Sequence, residues 1–345
     1  MPRLAPYAKQ HEFPNGVDDD RPTSMQIVKD EELEGKWVGK VVLVTGCSPG
    51  GLGPETARAM HATGADVYIT GRDREKTNTV AHDIMSDGRP GKVEVVQLDL
   101  SSLKSVGDAA VEILDKTGGR LNILINNAGI MACPKGTTED GFETHFATNH
   151  LGHFLLFQLL KPALLASSTE AFNSRVISLT SLGYRFGTIA FDDIHFSKTD
   201  YDPWKAYGQS KLANIHFANE LERRYGSSGL HALSVHPGYI MTALQRHVDY
   251  EALGFDSVEP RLLKSPQQGA ATSVWAALSK DWEGRGGRYL EDCSEAAPAD
   301  SDDLYAPGYT EKVYDISTES RLWVESLKMV GLPSDTRVSM NRSSR

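Results

Sequence analysis

Two stretches of the chain place a tyrosine one helical turn before a lysine: Tyr201-Asp-Pro-Trp-Lys205 and Tyr207-Gly-Gln-Ser-Lys211. On one helix face such a pair sets an ammonium beside a phenol. The charge lowers the phenol pKa from about 10 toward neutrality and makes it a usable general acid/base. A proline separates the two matches. Pro203 suits the first turn of a helix with Asp202 as its cap, which leaves Tyr201 outside and Tyr207 and Lys211 inside. The second pair is the candidate.

Other groups converge on the same chemistry. The run RVISLT (175–180) delivers Thr180 and Ser181 at its end, where a hydroxyl can hydrogen-bond a substrate oxygen and stabilise a developing alkoxide. The run LNILIN (121–126) leads into Asn126-Asn127-Ala128-Gly129, whose small residues permit close approach to a cofactor. Asn149 lies on the helical stretch that follows, placed to carry a proton-relaying water. TGCSPGGLG (45–53) follows the apolar run VVLV and precedes a helix-like segment, the context of a phosphate-cradling loop. Its glycines match neither G-x-G-x-x-G nor G-x-x-x-x-G-K-[ST].

The elements that must position these groups alternate. Strand-like runs at 41–44, 66–70, 93–100, 121–126, 175–180 and 230–235 are separated by amphipathic stretches. The latter end near Gly64 or span 73–86, 102–117, 138–167, 203–225 and 266–279. A seventh strand is expected at 287–290. This alternation predicts an α/β fold, one doubly wound Rossmann-type parallel sheet of about seven strands covered on both faces. Residues 1–35 read as an N-terminal arm, the first 24 of them with four prolines and no period. The catalytic domain spans 36–295. Residues 296–345 form a C-terminal extension, with a last helix at 321–332 packing back and a flexible tail. The stretch 291–308 reads as a surface excursion.

In such sheets ligands bind beyond the carboxyl ends of the strands. The second strand ends Thr70-Gly71-Arg72, with glycine where NAD-binding sheets carry an acid on the ribose. A guanidinium there matches the 2′-phosphate of NADP and favours it over NAD. Asp73 competes for that place or caps the next helix. Asp99, ending the third strand, either reaches the adenine or caps the helix after it.

Composition narrows the classes. The 345 residues are 40% hydrophobic and 24% charged, enough for a sizeable core. A net charge of −10 without a basic cluster argues against nucleic acid as a partner. Three scattered cysteines form neither a disulfide framework nor a metal cluster, which suits a reducing compartment. There is no apolar run of the roughly 18 residues a membrane span needs, and the opening MPRLAPYAKQHEFPNG lacks a signal-peptide core, so a cytoplasmic protein is expected. His145, Asn149 and His153 share one helix face, where packing is expected rather than metal. The stripe 151–160 is expected to be core or a dimer seam.

The chain resembles the short-chain dehydrogenase/reductase family. TGCSPGGLG, NNAG (126–129), Asn149, Ser181, Tyr207–Lys211 and HPG (236–238) carry the resemblance over residues 36–295. GFETHFATNHLGHFLLFQLL (141–160), AYGQSKLANIHFANEL (206–221) and VHPGYIMTAL (235–244) look like the branch containing retinol dehydrogenases and WW-domain-containing oxidoreductases. The resemblance implies a tetrad. Asn149 holds the relay water, Ser181 orients the substrate oxygen, Tyr207 transfers the proton, and Lys211 tunes Tyr207 and binds the nicotinamide ribose. It also implies cofactor contacts at Gly46, Ser48, Gly51, Leu52 and Gly53, at Arg72, Asp99 and Leu100, and at Asn127, Ala128 and Gly129. Pro237, Gly238, the Ile240 backbone and Thr242 would secure the nicotinamide end. The family's loop reads T-G-x-x-x-G-x-G. Here it is one residue longer, and aligning Gly46, Gly51 and Gly53 puts the extra residue near Ser48–Gly50.

The implied function is an NADP(H)-dependent oxidoreductase interconverting a carbonyl and an alcohol on an apolar small molecule, with no metal. Pocket walls are expected from 131–137, 182–200 and 239–265, with Met131, Phe186, Phe196, Tyr239 and Leu244. A homodimer through the helices carrying Asn149 and Tyr207 is common in the family. The rivals are a cofactor-binding regulator or scaffold on the same fold, and an epimerase or lyase using the same tyrosine.

Overall fold

The computed structural model describes residues 3–248, 259–301, 303 and 306–334. The C-terminal tail from 335 onward and part of the 239–265 wall lie outside the described residues. The apolar runs become β1 (Val41–Val44), β2 (Asp66–Gly71), β3 (Val93–Gln97), β4 (Ile123–Asn126), β5 (Ser174–Leu179), β6 (Leu230–His236) and β7 (Arg288–Glu291). They pair in parallel in the order β3-β2-β1-β4-β5-β6-β7. The antiparallel β8 (Ser294–Glu295) is an addition to the expected seven. It returns through Asp292 and Cys293, both at positive φ (49° and 51°). The order reverses between β1 and β4, the switch point where such sheets open a crevice.

Both faces are covered, because β1 and β4–β6 are buried at nearly every position. On one face lie α1 (Ala8–His11), α2 (Ser24–Asp30), α3 (Leu52–Ala62), α4 (Arg74–Met85) and α8 (Pro266–Leu278). The other face carries α5 (Leu103–Thr117), α6 (Gly152–Ser167), α7 (Pro203–Tyr225) and α9 (Ile316–Met329). Among the described residues no helix is long and apolar enough to cross a membrane.

Four expectations need correcting. Residues 3–35 are not a free arm: Tyr7, Ile27, Val28 and Leu33 are buried in the same cluster as β1 and α8. The proline-rich stretch hid this, since it packs without a period. The helix expected over 138–167 starts only at Phe146, as a π-helical turn (Phe146–Leu151) that runs into α6. The last helix begins earlier than read, at Ile316, where Asp315 caps Ser317 and Thr318. The 291–308 stretch is partly internal. Cys293 is fully buried, and the Arg185 guanidinium donates to Asp303 O (2.8 Å) and Gly308 O (2.7 Å).

The apolar stripe on α6 is covered by the chain's own α9. Trp323 lies against Phe154, Phe157 and Phe217, with centroid separations of 5.1, 6.1 and 6.0 Å.

Candidate active site

A cavity of about 700 Å³ opens at the carboxyl ends of β1, β4, β5 and β6. Its floor begins in the glycine loop. Gly46 has φ +74°, and a Cβ there would stand 2.6 Å from Ala128 Cα, so only glycine lets this loop rest on the Asn127–Gly129 turn. Gly50, also at φ +74°, faces open space and absorbs the extra residue. Gly51 N–H closes the turn on Ser48 O (3.1 Å), and Gly51 occupies the N-cap of α3 without a side-chain cap. The first-turn amides of α3 are thus left to an anion. Gly51 lines the cavity with Gly46, Ser48 and Leu52, and Gly50 does not. Gly53 does not line it. A Cβ at Gly53 would lie 2.5 Å from Gly46 O, so its smallness serves loop–helix packing.

At the end of β2, Arg72 lines the rim of the cavity and has no ion-pair partner among the described residues. Asp73 is committed elsewhere, accepting from Lys76 N (3.1 Å) as the cap of α4. Asp99 does not cap α5, a task taken by Ser102. Its carboxylate accepts from Ser101 N and Oγ while it lines the cavity with Leu100.

The catalytic candidates meet where β5 and α7 adjoin. Asp202 accepts from Trp204 N and Lys205 N and starts α7 at Pro203, which sets Tyr207 and Lys211 on the helix face toward the sheet. Tyr201 stays outside α7. Its hydroxyl reaches Cys133 O (3.1 Å) and Glu143 Oε1 (3.3 Å), so the first tyrosine–lysine match is structural. Ser181 follows β5, and its Oγ accepts from Gly183 N (3.1 Å). Lys211 Nζ donates to Leu179 O (3.2 Å) and stands 5.8 Å from the Tyr207 ring centroid.

Burial is the first influence on the ionisation of Tyr207. Burial pushes its phenol up to about 12, and the Ser181 hydroxyl draws it only part-way back. Burial also pushes Lys211 down to about 8. The Lys211 ammonium is engaged at the Leu179 carbonyl.

Asn149 is engaged through its side chain. Its Oδ1 accepts from Ile130 N (2.9 Å), and its Nδ2 donates to Ile130 O (3.0 Å) and Ser210 Oγ (2.9 Å). Through these three bonds the amide braces the turn after β4. His153 extends the brace. Its Nδ1, taken as protonated from the Asn149 carbonyl it faces (3.0 Å), leaves Nε2 to accept from Thr45 Oγ1 (2.9 Å). Thr45 Oγ1 in turn accepts from Asn127 N and Ala128 N. His145 is held by Glu143 and the Cys133 amide. These histidines are fixed inside the fold by hydrogen bonds, and no group of metal-ligating side chains occurs among the described residues.

The outer part of the cavity is apolar. Met131, Phe186, Tyr239 and Leu244 line it as read from the sequence, with Pro237, Gly238, Ile240 and Thr242 at its inner end. Phe196 does not line it; it packs on Tyr201. Trp204 lies outside the expected walls, whereas Leu262 and Leu263 fall within the 239–265 wall without having been singled out. Trp204 was findable, since it precedes Tyr207 by three residues on one helix face. The leucines carry no local signal.

The chain matches the family model for short chain dehydrogenase over residues 40–252. It belongs to the short-chain dehydrogenase family. It is therefore an oxidoreductase whose family works with a nicotinamide cofactor. It is similar to the short-chain dehydrogenase/reductase prx1 of Penicillium roqueforti, 48% identical over 321 residues, 92% of this chain and 93% of the relative. Retinol dehydrogenase 13 of Homo sapiens is 39% identical over 299 residues, 85% of each chain, which supports the branch read from the sequence. Among solved structures, the RhlG/NADP active-site complex of Pseudomonas aeruginosa aligns with a TM-score of 0.56 and 25% identity, over 74% of this chain and 94% of that one.

Proposed function

We propose that this short-chain dehydrogenase uses NADP(H) to interconvert a carbonyl and an alcohol on an apolar small molecule, with reduction as its favoured direction. The observation that carries this reading is the convergence of Ser181, Tyr207 and Lys211 on an apolar cavity whose far rim bears Arg72, which has no ion-pair partner among the described residues.

The residues present suit NADP. Gly46, Ser48, Gly51 and Leu52 form the diphosphate cradle at the start of α3, and Arg72 supplies a guanidinium for the 2′-phosphate. Asp99 and Leu100 flank the adenine side. Asn127–Gly129, Lys211 and residues 237–242 frame the nicotinamide half. When bound, the cofactor supplies or accepts the hydride.

The protein's own part is the proton. A phenol held near 12 is neutral at pH 7, so Tyr207 is loaded as a donor toward a carbonyl oxygen. Ser181 Oγ accepts from Gly183 N, and its hydroxyl, paired with the Tyr207 phenol, is placed to hold that oxygen beside Tyr207. Lys211, anchored at Leu179 O, sets an ammonium behind the phenol that offsets charge as the proton leaves. Asn149 and His153 act at one remove, fixing the turn on which the site is built.

Replacing Tyr207 with Phe should lower turnover by roughly 10²–10⁴-fold while NADPH binding, followed by fluorescence, stays nearly unchanged. Retained turnover sinks the assignment. A panel of carbonyl compounds with NADPH, read by cofactor absorbance, separates redox chemistry from epimerisation or elimination, which would leave it flat.

A further inference from the structure

One wall of the cavity is built from chain that is not in the sheet. Residues 239–248 leave β6, and 259–263 return to α8; Leu262 and Leu263 line the cavity. Few backbone pairs hold the returning strand of this wall. Tyr239 and Leu263 form an isolated bridge, and Lys264 N donates to Tyr239 O (2.8 Å). The carbonyls of Leu262 and Leu263 take further partners beyond that bridge.

They are met by an arginine about 240 residues earlier in the chain. Arg21 is 4% exposed. Its Nη1 donates to Leu262 O (3.1 Å) and its Nη2 to Leu263 O (2.6 Å) and Gly16 O (2.9 Å). Its Nε pairs with Asp19 Oδ1 (2.8 Å), a carboxylate that is itself nearly buried. Gly16 N donates back to Arg261 O (2.9 Å). From the other side Gln268 of α8 donates to Asp19 and to the Arg21 carbonyl, and accepts from Asp18 N. A buried guanidinium is costly unless its donors are filled, and four of its five N–H groups are filled here. Its planar fork is what allows it to span carbonyls from two segments at once.

We propose that Arg21 is a positioning residue for the substrate pocket. The segment 15–21 fixes where Leu262 and Leu263 stand, and so sets the size and shape of the carbonyl compound admitted. The clamp comes from outside the stretch shared with the family model, which begins at residue 40. Specificity is thereby set in part by a segment remote from the catalytic residues. The inference rests on the carbonyl-reductase reading of the site.

The test compares wild type, Arg21→Ala, Arg21→Lys and the control Tyr7→Phe. The control removes the Tyr7–Asp30 hydrogen bond of the same segment without touching residues 259–268. Arg21→Ala should speed amide hydrogen exchange at 259–264 and raise KM for bulky carbonyls about tenfold, with kcat and NADPH affinity changed by less than about threefold. It should also alter the ranking of bulky against small carbonyls. Arg21→Lys keeps the charge but not the fork, and should fall between; it carries the test if the alanine variant does not fold. Tyr7→Phe should leave exchange at 259–264 and the ranking as in wild type. Unchanged exchange or an unchanged ranking in the Arg21 variants overturns the proposal. If wild type reduces no carbonyl compound, the redox reading fails on its own, and hydrogen exchange at 259–264 still decides the clamp.

Discussion

Arg72 stands at the end of β2 with no acidic partner among the described residues, next to an aspartate spent on capping α4. A charge-assisted bond to a 2′-phosphate is worth about 1.5–3 kcal/mol, or roughly 10–150-fold in affinity. Arg72→Ala should weaken NADPH by that factor and leave NADH within about twofold, as titrated by protein fluorescence. Equal losses for both cofactors would remove Arg72 from the 2′-phosphate. At this scale much of the site was legible. The proline in Tyr201-Asp-Pro-Trp-Lys205 discriminated between the two tyrosine–lysine matches because its effect on a helix start is local. The brace made by Asn149 was not legible because its partners, Ile130 and Ser210, lie 19 and 61 residues away. The burial that raises the Tyr207 phenol was not legible, because sequence spacing does not report it.

Between elements, the geometry of the site depends on how closely α7 approaches the short 3-10 helix Leu182–Phe186 that follows Ser181. Gly208 makes that approach possible: a Cβ on it would sit 2.5 Å from Gly187 N and 2.8 Å from Gly183 O, both backbone atoms. Gly208→Ala should cost about 1–3 kcal/mol of stability and separate Ser181 from Tyr207. Thermal melts and steady-state kinetics check it, with kcat falling further than NADPH affinity. An unperturbed kcat in a destabilised variant would show that the crossing serves the fold alone. Strands β1–β7 were readable as apolar runs, and the limits of α7 followed from Asp202-Pro203 and Tyr225-Gly226. The π-helical turn was not, since the sequence through Phe146–Leu151 keeps an ordinary helical pattern and only the tertiary brace distinguishes it. The left-handed pair Asp292–Cys293 was equally hidden, as neither is a residue that favours positive φ as glycine does.

For the molecule as a whole, the two ends of the chain complete what the central sheet begins. The N-terminal segment packs on α8, and α9 closes the opposite face. Trp323, 2% exposed, lies between Phe154, Phe157 and Phe217, with Arg224 over its ring at 4.8 Å. Trp323→Ala should cost about 3–5 kcal/mol and uncover the stripe that the sequence suggested as a dimer seam. Sedimentation should then show self-association in the variant through a face closed in wild type; equal association states in both would separate that face from assembly. The doubly wound class was legible because alternation is a local property. The embrace by both termini was not, because it is made of contacts such as Arg21 with Leu263 that join opposite ends of the sequence.

The closure by α9 has a further consequence for biogenesis. Strands β1–β8 have been synthesised by Glu295, but Trp323 and Leu327 are added later, after a delay on the order of a few seconds at ordinary elongation rates. Throughout that interval the aromatic face of α6 and α7 has no cover from its own chain. A nascent polypeptide in this state exposes the kind of contiguous apolar surface that chaperones recognise and that aggregates grow from. Truncation before residue 316 would make that transient state permanent.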